Sequence, residues 1–278
     1  MKRMSSYRFS KPARELLKKA LREDLGRGDI TTRILIPPKS HAQAVIVAKE
    51  KGVLCGAPIA GEIFRMLDKS AKISFSLREG RWFRKGEVIA KIRARTASIL
   101  GAERTALNFL GLLSGVATET RRFVDRVKPY PVLIWDTRKT IPLLRDFEKY
   151  AVRVGGGHNH RRGLFDAAFV KENHRRWGNL GNLRKYRGRF EIEVRNLREL
   201  KEALALSPGV ILFDNFSPKS LARAVCYARS QRPGILLEAS GGITLKNVRR
   251  YAASGVNWIS VGALTHSVKT IDFSVLIL

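Results

Sequence analysis

Three short segments of the sequence concentrate cationic side chains and histidines. They read DTRKT at 136–140, GGGHNHR at 155–161 and VKENH at 170–174. Glycine and β-branched neighbours surround these side chains, which is typical of strand ends and tight loops. Arginine offers a planar fork that pairs with two carboxylate oxygens, and lysine offers a point charge. The segments therefore predict a pocket for a small anion, built from Arg138, Lys139, His158, His160, Arg161, Lys171 and His174.

Two acidic residues, Glu193 and Asp214, end successive apolar runs that lie one strand–helix–strand step apart. Adjacent parallel strands would bring the two carboxylates to one face. Paired carboxylates in a basic pocket suit Mg²⁺ that is shared with substrate phosphates. The alternative is an ordinary ion pair between one of these acids and Lys139 or Lys171.

Two glycine loops follow the last two apolar runs, ASGGITLKNV at 239–248 and WISVGALTHS at 258–267. Glycine lets backbone N–H groups approach an anion, and a helix N-terminus adds a favourable dipole. In βα-barrels the last two βα loops commonly form a phosphate site. The two loops, with His266 nearby, therefore predict phosphate binding.

Strand-like runs alternate with helical segments after residue 130, which favours βα units and a parallel sheet. Polar or glycine residues stand at or just past the end of each run, as a catalytic βα-barrel requires. The predicted strands are VLIW (132–135), AAFV (167–170), FEIEV (190–194), VILF (210–213), ILLEA (235–239) and WISVG (258–262).

The first hundred residues show a different pattern. Apolar residues at three- and four-residue spacing predict an amphipathic helix over 11–26, and short β-like runs with glycines fill 43–93. Helical periodicity returns over 102–128. We therefore expect an α/β domain over 1–105 and a barrel domain over 106–267, with 268–278 as a candidate to return to the first domain.

The charge balance is strongly basic, with 53 Lys and Arg against 24 Asp and Glu and a formal net charge of +29. Such a charge suggests polyanionic partners, although a solvated surface rich in Lys and Arg explains it equally well. The start of the chain shows no signal-peptide pattern and no apolar run could span a bilayer, so we expect a cytoplasmic protein without a membrane partner. Walker A, dinucleotide-binding and HExxH motifs are absent from the sequence, which gives no support to ATPase, Rossmann dehydrogenase or zinc protease functions.

Taken together, these motifs resemble the quinolinate phosphoribosyltransferase family, the carboxylating nicotinate-nucleotide pyrophosphorylases of NAD biosynthesis. The resemblance covers nearly the whole chain in order. Its main segments are REDLGRGDITT (22–32), AERTALNFLGLLSGVAT (102–118), DTRKT (136–140), EKYAVRVGGGHNHRRGLFDAAFVKENH (148–174), EIEV (191–194), LFDNFSP (212–218), EASGGIT (238–244) and SVGALTHS (260–267).

The resemblance implies a fold, a reaction and an assembly. The fold would be an N-terminal α/β sandwich domain followed by an open seven-stranded α/β barrel. The reaction would join quinolinate to phosphoribosyl pyrophosphate with Mg²⁺, giving nicotinate mononucleotide, pyrophosphate and CO₂. The assembly would be a homodimer or a multiple of it.

The resemblance also implies roles for individual residues. Quinolinate would be bound by Arg138, His160, Arg161 and Lys171, with Arg104 arriving from a neighbouring subunit. Lys139, Glu193 and Asp214 would serve the phosphoribosyl pyrophosphate, and Glu193 and Asp214 its magnesium. The 5-phosphate would be held by Ser240, Gly241, Gly242, Gly262 and His266.

Three departures from the family pattern stand out. Leu143 replaces a common glycine, and Arg162 replaces an apolar residue. The segment 174–189 is short, rich in basic residues and without helical periodicity, so a full helix is not expected there. It is either a basic surface loop or a polyanion contact with Trp177 and Tyr186 available for stacking.

Two alternatives to quinolinate phosphoribosyl transfer remain open from the sequence. One is a phosphoribosyltransferase for another anionic ring, and the other is a basic nucleic-acid-binding protein on the same barrel. The charge is compatible with a nucleic acid as an additional partner but does not require one.

Overall fold

The computed structural model describes residue 7 and residues 9–278. The chain forms two compact units. The first contains the described residues up to Glu119 together with Asp146–Gly156 and Val268–Leu278, and the second contains Thr120–Arg145 and Gly157–Ser267.

Up to residue 127 the chain alternates short helices with strands and ends in one long helix. The elements are α1 (Lys11–Leu25), α2 (Ile30–Leu35), β1 (His41–Ala48), β2 (Gly52–Val53), α3 (Ala57–Leu67), β3 (Lys72–Phe75), β4 (Trp82–Phe83), β5 (Val88–Arg95) and α4 (Thr96–Val127).

After residue 127, strands and helices mostly alternate along the chain. They are β6 (Leu133–Trp135), α5 (Arg145–Gly155), β7 (Ala168–Val170), α6 (Glu172–Trp177), a 3₁₀ helix (Leu180–Lys185), β8 (Phe190–Val194), α7 (Leu197–Leu204), β9 (Val210–Asp214), α8 (Pro218–Gln231), β10 (Leu236–Ser240), α9 (Val248–Ala252), β11 (Trp258–Ser260), α10 (Ala263–His266) and β12 (Phe273–Ile277).

Helix α1 confirms the predicted amphipathic helix over 11–26. The Ser10 side chain accepts a hydrogen bond from the backbone N–H of Ala13 and so caps the first turn. Leu17 and Leu21 are buried on one face. Gly26, at φ +50°, ends the helix in a conformation that favours glycine.

The first unit is built around an antiparallel sheet with strand order β12-β1-β5-β3. Strand β12 pairs with β1 over five residues, so residues 273–277 share a sheet with residues 41–48. Just before β12 the chain passes close to α4, where Cβ atoms on Gly111 and Gly115 would clash with the backbone oxygens of Ile271 and Lys269. The two glycines therefore allow the close approach of this returning segment.

Helix α4 carries the chain from the first unit into the second. It begins at Thr96, ahead of the helical periodicity at 102, and runs without a break to Val127. Residue 105, the expected domain boundary, lies inside this helix, and the compact units divide between Glu119 and Thr120.

The second unit contains a parallel sheet with strand order β6-β11-β10-β9-β8-β7. All six predicted strands are present to within one or two residues at each end. A seventh position beside β6 is occupied by a single parallel bridge between Trp135 and His158. This bridge is closed by His158 N–H donating to the Ile134 carbonyl and Asp136 N–H donating to the His158 carbonyl.

Side-chain contacts show that this sheet is curled. His160, next to the bridge, lies 3.0 Å from Glu191 of β8 and 3.7 Å from Glu238 of β10, measured from Nε2 to a carboxylate oxygen. In a flat sheet these strands would be separated by the width of several neighbours at about 4.8 Å each. The sheet therefore wraps around a shared interior, which confirms the expected open α/β barrel.

The segment 174–189 forms no full helix, as expected. Helix α6 ends at Trp177, and a 3₁₀ helix follows without a buried residue. Among the described residues, none of the helices combines the length and apolar character needed to cross a membrane.

Candidate active site

The carboxyl end of β6 is anchored by a buried acid. Asp136 is fully buried, and its two carboxylate oxygens accept hydrogen bonds of 2.7 Å from the backbone N–H of His160 and the side-chain amide of Asn159. The carboxylate therefore holds the HNH segment against the strand that carries Arg138 and Lys139. Asp136 is a positioning residue and does not face a substrate through either oxygen.

Arg145 ties the same two segments together from the other side. Its guanidinium donates to the Thr140 hydroxyl at 3.0 Å, to the Arg162 carbonyl at 2.9 Å and to the Arg138 carbonyl at 3.5 Å. Sequence reasoning missed this residue because it lies outside the motifs. Its position a few residues after DTRKT was the sequence signal that could have pointed to it.

His160 sits over two buried glutamates inside the barrel. Its Nδ1 accepts the backbone N–H of Arg161 at 2.8 Å, which leaves the ring proton on Nε2, directed at Glu191. Burial alone lowers the pKa of His160, but the hydrogen bond and charge of Glu191, followed by the charges of Glu238 and Asp136, raise it overall. A second proton on Nδ1 would displace the Arg161 amide.

Burial and the charge of Glu191 raise the pKa of Glu238 to about 8, against the opposing charge of His160. A ring nitrogen of His160 and carboxylate oxygens of Glu191 and Glu238 lie within 4.8 Å of one another, so the three side chains form a compact cluster that could hold a metal ion. The motifs had placed Glu191 and Glu238 in strands without giving them a role. Their inward positions follow only from the curl of the sheet.

The predicted cationic residues converge around one aromatic ring. Phe169 of β7 stacks on the His160 ring with centroids 5.6 Å apart. The Arg161 guanidinium lies 5.0 Å and the Lys171 ammonium 4.6 Å from its centroid. Burial and then the charge of Arg138 lower the pKa of Arg161, so the two guanidinium groups act on each other electrostatically.

One cationic group of this cluster still has a hydrogen-bond donor that an anionic ligand could accept from. The Arg138 Nε atom is buried without a hydrogen-bond partner among the described residues. Such a donor is costly to bury unless a ligand accepts from it. Phe169 was missed as a site residue because its sequence context, AAFV, is that of an ordinary buried strand.

Glu193 and Asp214 lie on the same face of adjacent strands. Glu193 of β8 is paired with Leu212 of β9, and Asp214 follows two residues later. Burial and the charge of Asp214 raise the pKa of Glu193, while Lys171, 3.6 Å from its carboxylate, opposes the rise. The repulsion between the two acids is the kind that a divalent cation relieves, and an oxygen donor set suits Mg²⁺.

The glycine loop after β10 lies beside Asp214. Ser240 is in register with Asp214, and the Asn215 N–H donates to the Ser240 carbonyl at 2.9 Å. The Asn215 side-chain amide also donates to the Asp214 carboxylate at 2.9 Å. Gly241, at φ +91°, has no room for a Cβ because Asn215 occupies that space.

Asn215 adopts a left-handed conformation, at φ +57°. Asparagine tolerates this region better than most residues. Asn215 therefore connects the acid of β9 to the glycine loop of β10, a role that the predicted site did not include.

The second glycine loop lies against the DTRKT segment. The Thr265 hydroxyl donates to the Lys139 carbonyl at 2.6 Å. A Cβ on Gly262 would fall 3.0 Å from the His266 ring and 3.2 Å from the Lys139 side chain. Lys139, Gly262 and His266 are therefore neighbours, whereas Gly242 is exposed and faces open space.

Arg104 is the one predicted site residue outside the second unit. It lies on α4 and is exposed. The other predicted residues all lie at the carboxyl ends of the barrel strands or in the loops that follow them.

A parallel barrel with clustered cations, two facing carboxylates and two glycine loops defines an enzyme class that acts on phosphate-bearing, anionic substrates. Comparison with known proteins narrows this class. Residues 29–114 match the model of the quinolinate phosphoribosyl transferase N-terminal domain, and residues 116–276 match that of its C-terminal domain.

Known relatives agree with the domain matches. The chain is 40% identical to the probable nicotinate-nucleotide pyrophosphorylase [carboxylating] of Bacillus subtilis, over 94% of this chain and 92% of the relative. It is 40% identical to the corresponding Mycobacterium leprae protein, over 94% and 95%. The structure of the Francisella tularensis nicotinate-nucleotide pyrophosphorylase covers 100% of both chains at 36% identity and a TM-score of 0.91. The chain therefore belongs to the quinolinate phosphoribosyltransferase family.

Proposed function

We propose that this chain transfers the phosphoribosyl group of phosphoribosyl pyrophosphate to quinolinate, with loss of CO₂, to give nicotinate mononucleotide and pyrophosphate. The observation that carries the proposal is the convergence of His160, Arg161 and Lys171 on Phe169, beside Glu193. A planar dicarboxylate matches a pocket with two guanidinium groups and one ammonium group. Family membership supports the same assignment.

The cationic residues orient the acceptor. Arg138 and Arg161 pair with the quinolinate carboxylates, and this relieves the repulsion between their guanidinium groups. Lys171 neutralises the remaining charge. These contacts hold the ring nitrogen toward C1 of the ribose. Because both anionic substrates are already bound and oriented, the reaction itself does not have to bring them together.

The carboxylates and glycine loops serve the donor. Ser240, Gly241, Gly242, Gly262 and His266 bind the 5-phosphate, and Lys139 neutralises charge on the departing pyrophosphate. Glu193 and Asp214 would hold a Mg²⁺ ion, which neutralises charge on the leaving pyrophosphate. The same carboxylates stabilise the positive ribose centre that develops as the C1–O bond breaks.

Decarboxylation follows from the first step. The new N–C1 bond leaves the ring nitrogen positively charged, so the electron pair of the departing carboxylate is stabilised on ring carbon 2. That carbon then takes up a proton. The protein positions and neutralises, and no covalent enzyme intermediate is required.

The direct test is release of CO₂ from carboxyl-labelled quinolinate, with and without phosphoribosyl pyrophosphate and Mg²⁺. We expect release that depends on both. A parallel assay with nicotinate in place of quinolinate distinguishes the proposal from a phosphoribosyltransferase for another anionic ring. Efficient nucleotide formation from nicotinate would favour that alternative. No product with any divalent metal would overturn the proposal.

The site assignment has its own test. Arg138→Ala and Lys171→Ala should raise the KM for quinolinate or lower kcat by at least tenfold, because each removes a charge-assisted contact. Lys69→Ala, an exposed cation of the first unit, is the matched control. Equal kinetics in all three variants would show that the pocket lies elsewhere.

The proposed assembly is a homo-oligomer, at least a dimer, in which Arg104 reaches a neighbouring subunit's pocket. Arg104→Ala and Lys171→Ala should each lose at least tenfold in activity at limiting quinolinate, but a mixture that exchanges subunits should recover activity, because a mixed dimer contains one complete site. About a quarter of wild-type activity is expected at equal mixing. No recovery despite verified exchange would mean that Arg104 does not act across subunits. Cytoplasmic location stays a prediction.

A further inference from the structure

The segment 174–189, called here the basic strip, carries charge that the catalytic site does not use. It contains the cations Arg175, Arg176, Arg184, Lys185, Arg187 and Arg189 and no acidic residue. All of these except Arg175 are exposed. The helix and the 3₁₀ helix of the strip bury none of their residues, so packing does not explain its composition.

The acids near the strip are already paired with Arg175 of the strip or with cations outside it. Glu202 lies 2.7 Å from Arg175 and 3.2 Å from Arg198, and Arg195 pairs with Glu172 and Glu199. Arg175 is the only cation of the strip with an acidic partner within 4.0 Å in the part of the chain that the structure describes. Five positive charges therefore project into solvent without local neutralisation.

Two aromatic side chains interrupt these charges. Trp177 is 85% exposed and Tyr186 is 49% exposed. A tryptophan that leaves most of its ring in water gives up burial free energy, which a stacking ligand would restore. Base stacking on aromatic rings within a positively charged surface is how proteins bind single-stranded nucleic acid without sequence preference.

We propose that the basic strip binds single-stranded nucleic acid, with Arg176, Arg184, Lys185, Arg187 and Arg189 contacting phosphates and Trp177 and Tyr186 stacking on bases. An acidic peptide would satisfy the charges but leave the two rings unused. A duplex would present phosphates but no free base faces. None of these seven residues is assigned to the pocket of the proposed function, and the proposal does not depend on that function.

The test is fluorescence anisotropy with the full chain and a labelled oligo(dT) of about 20 nucleotides, at salt concentrations from about 50 to 200 mM. We expect affinity to fall as salt rises. Arg184→Ser/Lys185→Ser/Arg187→Ser should weaken binding at least tenfold and reduce the slope of log K against log salt by about 2, at roughly 0.7 per lost phosphate contact.

Aromatic variants separate stacking from charge. Trp177→Ala/Tyr186→Ala should lower affinity by about 10-fold or more while leaving the salt slope unchanged. The matched control is Lys69→Ser/Lys72→Ser/Lys91→Ser, which removes three exposed lysines of the first unit. This control should retain wild-type affinity, and circular dichroism should show that every variant is folded.

Three results would overturn the proposal. The first is an equal loss of affinity in the control triple, which would reflect net charge alone. The second is wild-type affinity in the aromatic double variant. The third is binding of poly-glutamate, or of a duplex of the same length, as tight as binding of oligo(dT), which would assign the strip to an acidic protein or to non-specific charge.

Discussion

At the residue scale, Asn215 links two parts of the candidate site. Its side-chain amide donates to the Asp214 carboxylate and its backbone N–H donates to the Ser240 carbonyl, while its backbone is in the left-handed region. A hydrogen bond to a charged group contributes roughly 1.5–3 kcal/mol. Loss of the side-chain amide should therefore affect the part of the site proposed to bind Mg²⁺ and phosphoribosyl pyrophosphate.

We predict that Asn215→Gly raises the Mg²⁺ or phosphoribosyl pyrophosphate requirement by about 10-fold or more, with little change in the KM for quinolinate. Glycine keeps the φ +57° conformation but removes the amide. Steady-state kinetics with each substrate varied in turn measures the effect. Asn215→Asp, which keeps the shape and removes the donor, should behave similarly. Wild-type kinetics in both variants would contradict this role.

Leu143 adopts φ +68° and is 83% exposed, at a position where the resemblance expects glycine. The left-handed region costs an L-residue roughly 1–2 kcal/mol, and more for a β-branched side chain. Little packing offsets this cost. The departure noted in the sequence is therefore a site of backbone strain.

We predict that Leu143→Gly is at least as stable as the wild type and that Leu143→Val is less stable, with a difference of about 1–2 kcal/mol between the two variants. The gain from glycine is limited by its larger chain entropy when unfolded. Urea unfolding monitored by fluorescence measures both. A valine variant as stable as the glycine variant would show that the loop relaxes to another conformation.

Sequence motifs pointed to the charged residues of the candidate site more readily than to the residues that support them. Arg138, Arg161, Lys171 and Glu193 stand in motifs whose residue types already indicate anion and metal binding. Phe169, Arg145 and Asn215 act through contacts between separate segments, Phe169 with His160, Arg145 with Arg162 and Asn215 with Ser240. Because those contacts depend on how the segments pack in three dimensions, local patterns could not reveal them.

At the element scale, the junction of α3, β3 and β5 depends on Asp68. Its carboxylate accepts the backbone N–H of Arg95 and the backbone N–H and hydroxyl of Ser70. These hydrogen bonds, led by the one from Arg95, lower the pKa of Asp68 to about 2. The charged carboxylate therefore stabilises the fold above its ordinary pKa, and this stabilisation is lost as pH falls toward 2.

We predict that Asp68→Asn is less stable than the wild type by about 1–2 kcal/mol at pH about 6. The difference should shrink as pH falls from about 4 to about 2, because the wild-type carboxyl is then protonated too. Urea unfolding of both proteins across this range measures it. A difference that stays constant with pH would mean that the charge of Asp68 does not matter.

Elements with strong local periodicity could be predicted from the sequence, and those defined by pairing could not. The strands of the barrel and helix α1 follow from apolar spacing and caps. The bridge at His158 was seen only as a glycine-rich loop, because one pair of hydrogen bonds leaves no periodic pattern. The two-residue strands β2 and β4 pair with each other and are too short to show alternation.

At the scale of the whole molecule, the net charge of +29 opposes compaction. We predict that stability against urea increases as sodium chloride rises from about 10 to 150 mM, because the screening length falls from about 30 to 8 Å. Urea is used because it is uncharged. Equal molar sucrose at these low concentrations is the control and should have little effect. Falling stability with salt would show that attractive ion pairs outweigh the repulsion.

The first unit is assembled from three separate stretches of chain, the last of which supplies β12 and the segment seated on Gly111 and Gly115. During synthesis on the ribosome, residues 41–48 emerge long before residues 273–277, their sheet partners. Strands β7 to β11 pair in the order in which they are made, whereas β1 lacks its β12 neighbour until residues 273–277 have been made. A chain that stops before residue 273 would expose β1 as a free strand edge. We expect chaperones and proteases to recognise such an edge.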